Sequence, residues 1–241
     1  MRPHGRRVIA LSLSLGNRRG DCEWDLNLMA SGQQTHIKSA GGSAAGTHPS
    51  PALEWFWDHL RDVRHPHFLD CGPALQSTVQ VLWQRGAKLY ISDLISPSQD
   101  GAPSFWDRSK KIPVFLSDLF LQQLPEIPRG SLSGVLCWHL FDLLPREALP
   151  AVVGRLFDYV TPGGALFCLL REPYLAAGAE TAWWLESTTT LGSSGENSKP
   201  FPHPAVTNRE MERLVPSGAV KTFLTRSGRR EVLATKRTAN L

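Results

Sequence analysis

Apolar residues in this chain fall into short runs that alternate with stretches of helical spacing, and the alternation begins near residue 50. Before it, residues 1–49 show no sustained period, and the run Ser39–Ala40–Gly41–Gly42–Ser43–Ala44–Ala45–Gly46 has the composition of a linker. Ser50–Pro51 reads as an N-cap followed by proline at the first helical position, with Leu53, Phe56, Trp57 and Leu60 at helical spacing behind it. Phe68–Leu69 opens a short strand that ends at Asp70. A helix from about Ser77 to Arg85 leads through Gly86 to a second strand, Lys88 to Ser92, ending at Asp93. Residues 95–111 are polar and proline-containing and predict a weak or short helix. A third strand, Val114 to Ser117, ends at Asp118, and a fourth runs from Gly134 to Trp138. Leu149, Val152, Val153 and Leu156 mark a helix from about Arg146 to Tyr159. Pro162–Gly163–Gly164 breaks it before a fifth strand, Ala165 to Leu170.

The last third changes character. Thr207 and Glu210 form a capping box for a helix to about Leu214. Val220 to Thr225, a Ser227–Gly228 turn and Arg230 to Lys236 then read as two strands of a hairpin. Strands alternating with helices imply an α/β fold with a doubly wound, mostly parallel sheet of seven strands, closed by an antiparallel C-terminal hairpin. We expect a disordered or non-native extension over 1–49, one domain over 50–237 and a tail over 238–241. A start at Met29, with residues 1–28 outside the native chain, is one form that a non-native extension would take.

Composition adds limits to this picture. Of the 241 residues, 41% are hydrophobic and 20% charged, as in a globular protein able to bury a core. The net charge of +4 hides two basic ends: five arginines without an acid in residues 1–20, and six Lys or Arg against Glu231 in residues 221–241. These ends are read as solvated tails; nucleic-acid binding through them is not favoured. Cys22, Cys71, Cys137 and Cys168 show no zinc-like spacing, and three lie in apolar runs, which predicts reduced buried thiols, no metal centre and a cytoplasmic location. No apolar run reaches the ~18 residues of a membrane span.

In open parallel sheets ligands bind beyond the carboxyl ends of the strands, and here the first three strands end in Asp70, Asp93 and Asp118. Gly72, two residues after Asp70, lets backbone approach a ligand closely, and the following helix presents free N–H groups. Asp93 follows Gly72 at the spacing, roughly 20 residues, expected of an acid that accepts from ribose hydroxyls. Asp118 is suited to accept from an amino group.

Across residues 50–237 the chain resembles a class I S-adenosylmethionine-dependent methyltransferase, a Rossmann-like family. The resemblance rests on Phe68–Leu69–Asp70–Cys71–Gly72, Tyr90–Ile91–Ser92–Asp93–Leu94, Phe115–Leu116–Ser117–Asp118–Leu119 and Val135–Leu136–Cys137–Trp138–His139. It rests also on the stretch from Leu156 through Asp158 to Gly164, similar to the turn before the family's fifth strand. The resemblance implies that Asp70 and Gly72 hold the methionine end, Asp93 the ribose and Asp118 the adenine, with Ala74, Leu94, Leu119 and Trp138 also lining the cofactor. The family's first loop usually carries glycines two and four places beyond its first; here those places hold Ala74 and Gln76, and Pro73 removes a donor.

The acceptor is a small molecule or a protein side chain on this reading. His139, just beyond the fourth strand, is the best-placed candidate for a base, while Asp142 reads as a residue at a helix start. No Asn- or Asp-Pro-Pro-aromatic run follows the fourth strand, which disfavours amide and adenine amines as acceptors, and Cys137 has no neighbouring proline of the cytosine-5 type. Residues 172–206, with Trp183, Trp184 and Pro200 to Pro204, either build a lid over the acceptor or pack on the sheet. A silent domain of the same fold is the alternative function, and a nicotinamide-dependent oxidoreductase is disfavoured by Ala74, Gln76 and the terminal hairpin.

Overall fold

The computed structural model describes residues 9–11, 46–172, 179–180, 182–194, 196–197, 201–215, 218–225 and 229–238. Two short strands, β1 (Ile9–Leu11) and β2 (Gly46–Pro49), precede helix α1 (Pro51–His59). The helix starts where the sequence places its cap: the Ser50 hydroxyl accepts from Leu53 N at 3.1 Å, and Pro51 sits where a missing N–H costs nothing. That hydroxyl also donates to Glu231 at 2.8 Å, and Glu231 accepts from Ala52 N, so a buried carboxylate meets the positive end of the helix.

Strand β3 (His67–Asp70), helix α2 (Gln76–Gln84) and strand β4 (Lys88–Ile91) follow the predicted order within a residue or two. The polar stretch after them yields only one turn, α3 (Ile95–Ser98), and two 3-10 turns. Then come β5 (Trp106–Asp107), β6 (Val114–Phe115), α4 (Ser117–Leu121), β7 (Leu132–Leu136), α5 (Leu140–Leu143), α6 (Leu149–Tyr159) and β8 (Val160–Arg171). Short strands β9 (Ala179–Glu180), β10 (Trp183–Leu185), β11 (Thr190–Ser193) and β12 (Glu196–Asn197) lead to α7 (Asn208–Leu214). Its capping box forms as expected. The hairpin β13 (Gly218–Leu224) and β14 (Arg229–Lys236) ends the sheet.

The main sheet has the order β1-β4-β3-β7-β8-β14-β13. Strands β4, β3, β7 and β8 are parallel neighbours, whereas β1, β14 and β13 pair antiparallel. From β3 the chain turns through α2 to β4 on one side, and then returns past β3 to β7 on the other. The order therefore reverses between β3 and β7, the place where an open α/β sheet can form a crevice at its carboxyl ends.

Three expectations change. The third strand does not join the main sheet: β6 has two residues and pairs antiparallel with β5. Pro113 offers no ladder donor before it, Leu116 N bonds to Phe105 O at 2.7 Å, and α4 begins at Ser117, which leaves no length for a sheet strand. The place beside β4 goes to β1, from the segment read as an extension. Structure also begins before residue 50, because β2 pairs with β11; the rest of 1–49 and residues 239–241 lie outside the described residues. Finally, the basic C-terminal end is only in part a solvated tail, with Lys221 and Arg237 exposed. Arg230 is buried, and Lys236 donates to Phe157 O and Val160 O at 3.0 and 2.9 Å. Cys71, Cys137 and Cys168 are buried free thiols, while Cys22 lies outside the described residues. Among the described residues no helix is long and apolar enough to cross a membrane.

Candidate functional site

Backbone bonds carry the parallel ladders past the strand ends and set the loops of the crevice. Cys71 N donates to Leu136 O, Ser92 N to Asp70 O and Leu94 N to Cys71 O, each at 2.9 Å. On the far side Cys137 N donates to Phe167 O at 2.8 Å and Leu169 N to Trp138 O at 2.9 Å. Asp70, Gly72, Trp138 and the fully buried Leu94 are thus held on one rigid rim.

Asp70 is 2% exposed. Its Oδ1 accepts from Gly72 N at 2.8 Å and from the Trp138 indole Nε1 at 2.6 Å; Oδ2 has no hydrogen-bond partner among the described residues. Burial pushes its pKa up to about 7, against the two hydrogen bonds that favour the charged form, and the nearby Asp93 charge adds to the rise. Trp138 has φ +49°, in the left-handed region that bulky residues rarely adopt. From there its indole lies directly over Gly72: a Cβ on Gly72 would stand 2.6 Å from Nε1 and 2.7 Å from Cδ1. Glycine is required here by the indole. Ala74 is half-buried against the core, and Gln76 is exposed as the first residue of α2, so neither replaced glycine narrows the turn.

Asp93 is half-buried, with Oδ1 accepting from Ser96 N at 2.9 Å and Oδ2 from Ser96 Oγ at 2.6 Å. It stands one strand away from Asp70, as the strand-end pattern predicts. Asp118 follows β6 and so does not end a strand of the main sheet. It is exposed in the first turn of α4, off the main sheet, and Leu119 beside it is 43% exposed. None of the hydrogen bonds found among the described residues joins Asp118 to Asp70 or Asp93.

Beyond β7 and β8 lies a second group. His139 is 6% exposed, and its Nδ1 is 3.2 Å from Oδ2 of the fully buried Asp142. The same Oδ2 accepts from Arg171 N at 2.8 Å, while Oδ1 is buried with no partner among the described residues. Asp142 is therefore not merely a residue at a helix start; it fixes the ring nitrogen. Its place three residues after His139, one helical turn away, is the signal in the sequence that could have paired them. Residues 201–208 run across this group and are strapped down by three arginines. Arg146 donates to Ala205 O at 2.6 Å, Arg171 to His203 O, and Arg230 to Val206 O and Asn208 Oδ1; Arg146 also pairs with Glu210. Phe201 packs on His139 with ring centroids 5.5 Å apart and lies under the Arg171 guanidinium. Trp183 and Trp184 are buried and pack; the Trp183 ring lies 5.8 Å from His139. Of the two readings of 172–206, the packing one holds for the tryptophans; residues 201–206 lie over His139, and residues 173–178, 181, 195 and 198–200 lie outside the described residues. None of these arginines carried a sequence signal.

No family model matches the chain, and no curated protein matches it. Solved structures do. A S-adenosylmethionine-dependent methyltransferase of Methanosarcina mazei is 15% identical, with 78% of this chain and 98% of that one covered and a TM-score of 0.42. A 1,6-didemethyltoxoflavin-N1-methyltransferase of Burkholderia thailandensis, solved with its substrate and S-adenosylhomocysteine, is 14% identical, covering 78% and 77%, with a TM-score of 0.42. A methyltransferase of Mesorhizobium loti is 14% identical, covering 76% and 95%, with a TM-score of 0.41. In this chain the central strands β4, β3, β7 and β8 run parallel and the C-terminal hairpin antiparallel, the arrangement that the resemblance to class I methyltransferases implies.

Proposed function

We propose that the crevice between the β3 and β7 loops binds S-adenosylmethionine and that the chain is a methyltransferase acting on a small molecule or a protein side chain. The observation that carries this reading is the Asp70–Gly72 turn at the switch point of a parallel sheet that ends in an antiparallel hairpin. The residues fit the cofactor at three points. Asp70 Oδ2 is an acceptor for an ammonium group, Gly72 allows close approach, and Asp93 offers a half-exposed carboxylate to ribose hydroxyls. When bound, the cofactor supplies a methyl group on a positively charged sulfur. The protein's part is orientation and exclusion of water, which the strap over 201–208 serves. With Nδ1 held by Asp142, the Nε2 of His139 is left to take a proton from an oxygen acceptor.

Calorimetry with S-adenosylmethionine, S-adenosylhomocysteine and a nicotinamide dinucleotide tests the reading. Asp93→Ala should keep the fold and weaken binding of the first two by about 10- to 100-fold, the worth of a carboxylate bonded to both ribose hydroxyls. Unchanged affinity in that variant would put the ribose elsewhere. A second reading, a catalytically silent partner domain of the same fold, is favoured by the Trp138 indole lying on Gly72. Absent binding of both sulfur nucleosides would select it.

A further inference from the structure

The crevice at the switch point is bounded by the loop after β3 and the loop after β7, and one side chain crosses it. Trp138 leaves the β7 loop, lays its indole on Gly72 of the β3 loop and donates its only N–H to Asp70 Oδ1 at 2.6 Å. It is 2% exposed, so the crossing is a packed contact and not a loose rotamer on the surface. Asp93 lies on the far side of β3, one strand along, and its carboxylate is half-exposed. The end beside Asp70 and Gly72 is thus filled by the chain itself, while the Asp93 carboxylate at the other end stays half-exposed.

We infer that Trp138 is a specificity gate: closed, its indole occupies the place of the amino-acid end of an S-adenosyl ligand, and that end enters only when the side chain swings off Gly72. The inference rests on the cofactor reading above. The indole takes Asp70 Oδ1 and leaves Oδ2 to an ammonium, so the competition is for space: the ligand and the indole need the same face of Gly72, and both cannot be in place. The backbone of Trp138 is suited to release. A tryptophan at φ +49° holds that conformation only because its surroundings impose it, here the Asp70 bond, the Leu169 N bond to its carbonyl and an edge contact with Phe167 at 6.2 Å. The nucleoside end needs no such movement. The gate therefore lowers affinity for ligands that carry the amino-acid end by the fraction of time it stands open, and leaves ligands without that end untouched.

Two probes separate the ends. S-adenosylhomocysteine carries the amino-acid end; 5′-methylthioadenosine has the same nucleoside and sulfur without it. In calorimetry on the full chain, Trp138→Gly, which suits the left-handed backbone, should bind S-adenosylhomocysteine at least about tenfold tighter than the parent, with 5′-methylthioadenosine unchanged. Trp138→Phe, which keeps a ring but no donor, should fall between. In the parent labelled with 5-fluorotryptophan, the resonance missing from Trp138→Phe should shift on saturation with S-adenosylhomocysteine and stay in place with 5′-methylthioadenosine. If Trp138→Gly does not fold, the phenylalanine variant and that resonance decide. Equal S-adenosylhomocysteine affinity in parent and folded variants, or a resonance unmoved at saturation, would overturn the gate and leave the cofactor reading standing. No binding of either probe by any of the three proteins would overturn the cofactor reading, and the gate with it.

Discussion

Replacing Asp70 by asparagine should make the protein more stable at neutral and alkaline pH while abolishing ligand binding. The carboxyl has its usual value, 3.8, in the unfolded chain and about 7 in the fold, because burial costs more than two hydrogen bonds return. Between those values the folded state keeps a proton that the unfolded chain has lost. Stability therefore falls as pH rises from about 4 to 7, by up to ~1.4 kcal/mol per pH unit, and levels off above. The full span gives an upper bound of about 4 kcal/mol; relaxation and water penetration around the charge reduce this to an expected ~2 kcal/mol. An asparagine keeps an oxygen for Gly72 N and the Trp138 indole and carries no charge to bury. Parent and Asp70→Asn should melt within a few degrees of each other at pH 5, and the variant should melt about 4–8 °C higher at pH 8. Comparing the two by circular dichroism from pH 5 to 8.5 cancels the titration of other groups, Glu231 among them, whose pKa burial also raises. A difference that is constant with pH, or that favours the parent at pH 8, would refute the reasoning. The variant should also lose S-adenosylhomocysteine, since an amide N–H would face the ammonium where Oδ2 stood; stability and binding trade against each other at this residue.

A methyl group on Gly134 would stand 2.4 Å from Phe68 Cε1 and 2.7 Å from Phe56 Cζ, both on fully buried rings. Gly134→Ala should therefore cost about 3 kcal/mol and lower Tm by roughly 6–12 °C. Gly154→Ala in α6, where a Cβ meets nothing within 4 Å, should instead gain about 0.5–1 kcal/mol, and a loss there would mean that the helix is packed differently. Arg230→Met leaves the carbonyls of Arg171 and Val206 without their buried donor, so it should cost about 3 kcal/mol and speed amide exchange over 201–208 more than in α6. Uniform exchange across both segments would show that Arg230 does not strap the lid.

Much of the architecture is written in local pattern. The Ser50–Pro51 cap, the Thr207–Glu210 capping box, the limits of α2 and the C-terminal hairpin each depend on residues a few places apart, and each is found where the sequence puts it. Asp70 and Asp93 reach the rim for the same reason: each ends or follows a strand whose own apolar run sets its direction and length. Asp118 shows the limit of that reasoning. Its segment has a strand's composition, but membership of a sheet depends on a neighbour with free ladder groups, and β1, from a stretch with no visible period, took that edge beside β4.

The sequence by itself determined the fold class, the hairpin that closes the sheet and two of the three acids at the crevice, because helix caps, turns and periodicity act within a few residues. Only the tertiary structure decided that Trp138 crosses 68 positions to Asp70 and covers Gly72, that Asp142 serves both His139 and Arg171, and that Arg230 joins β14 to the 201–208 strap. Those contacts link side chains whose strands become neighbours only once the sheet is assembled. A buried donor takes whichever acceptor the assembled sheet brings within reach, and nothing in the local run of residues encodes which one that is.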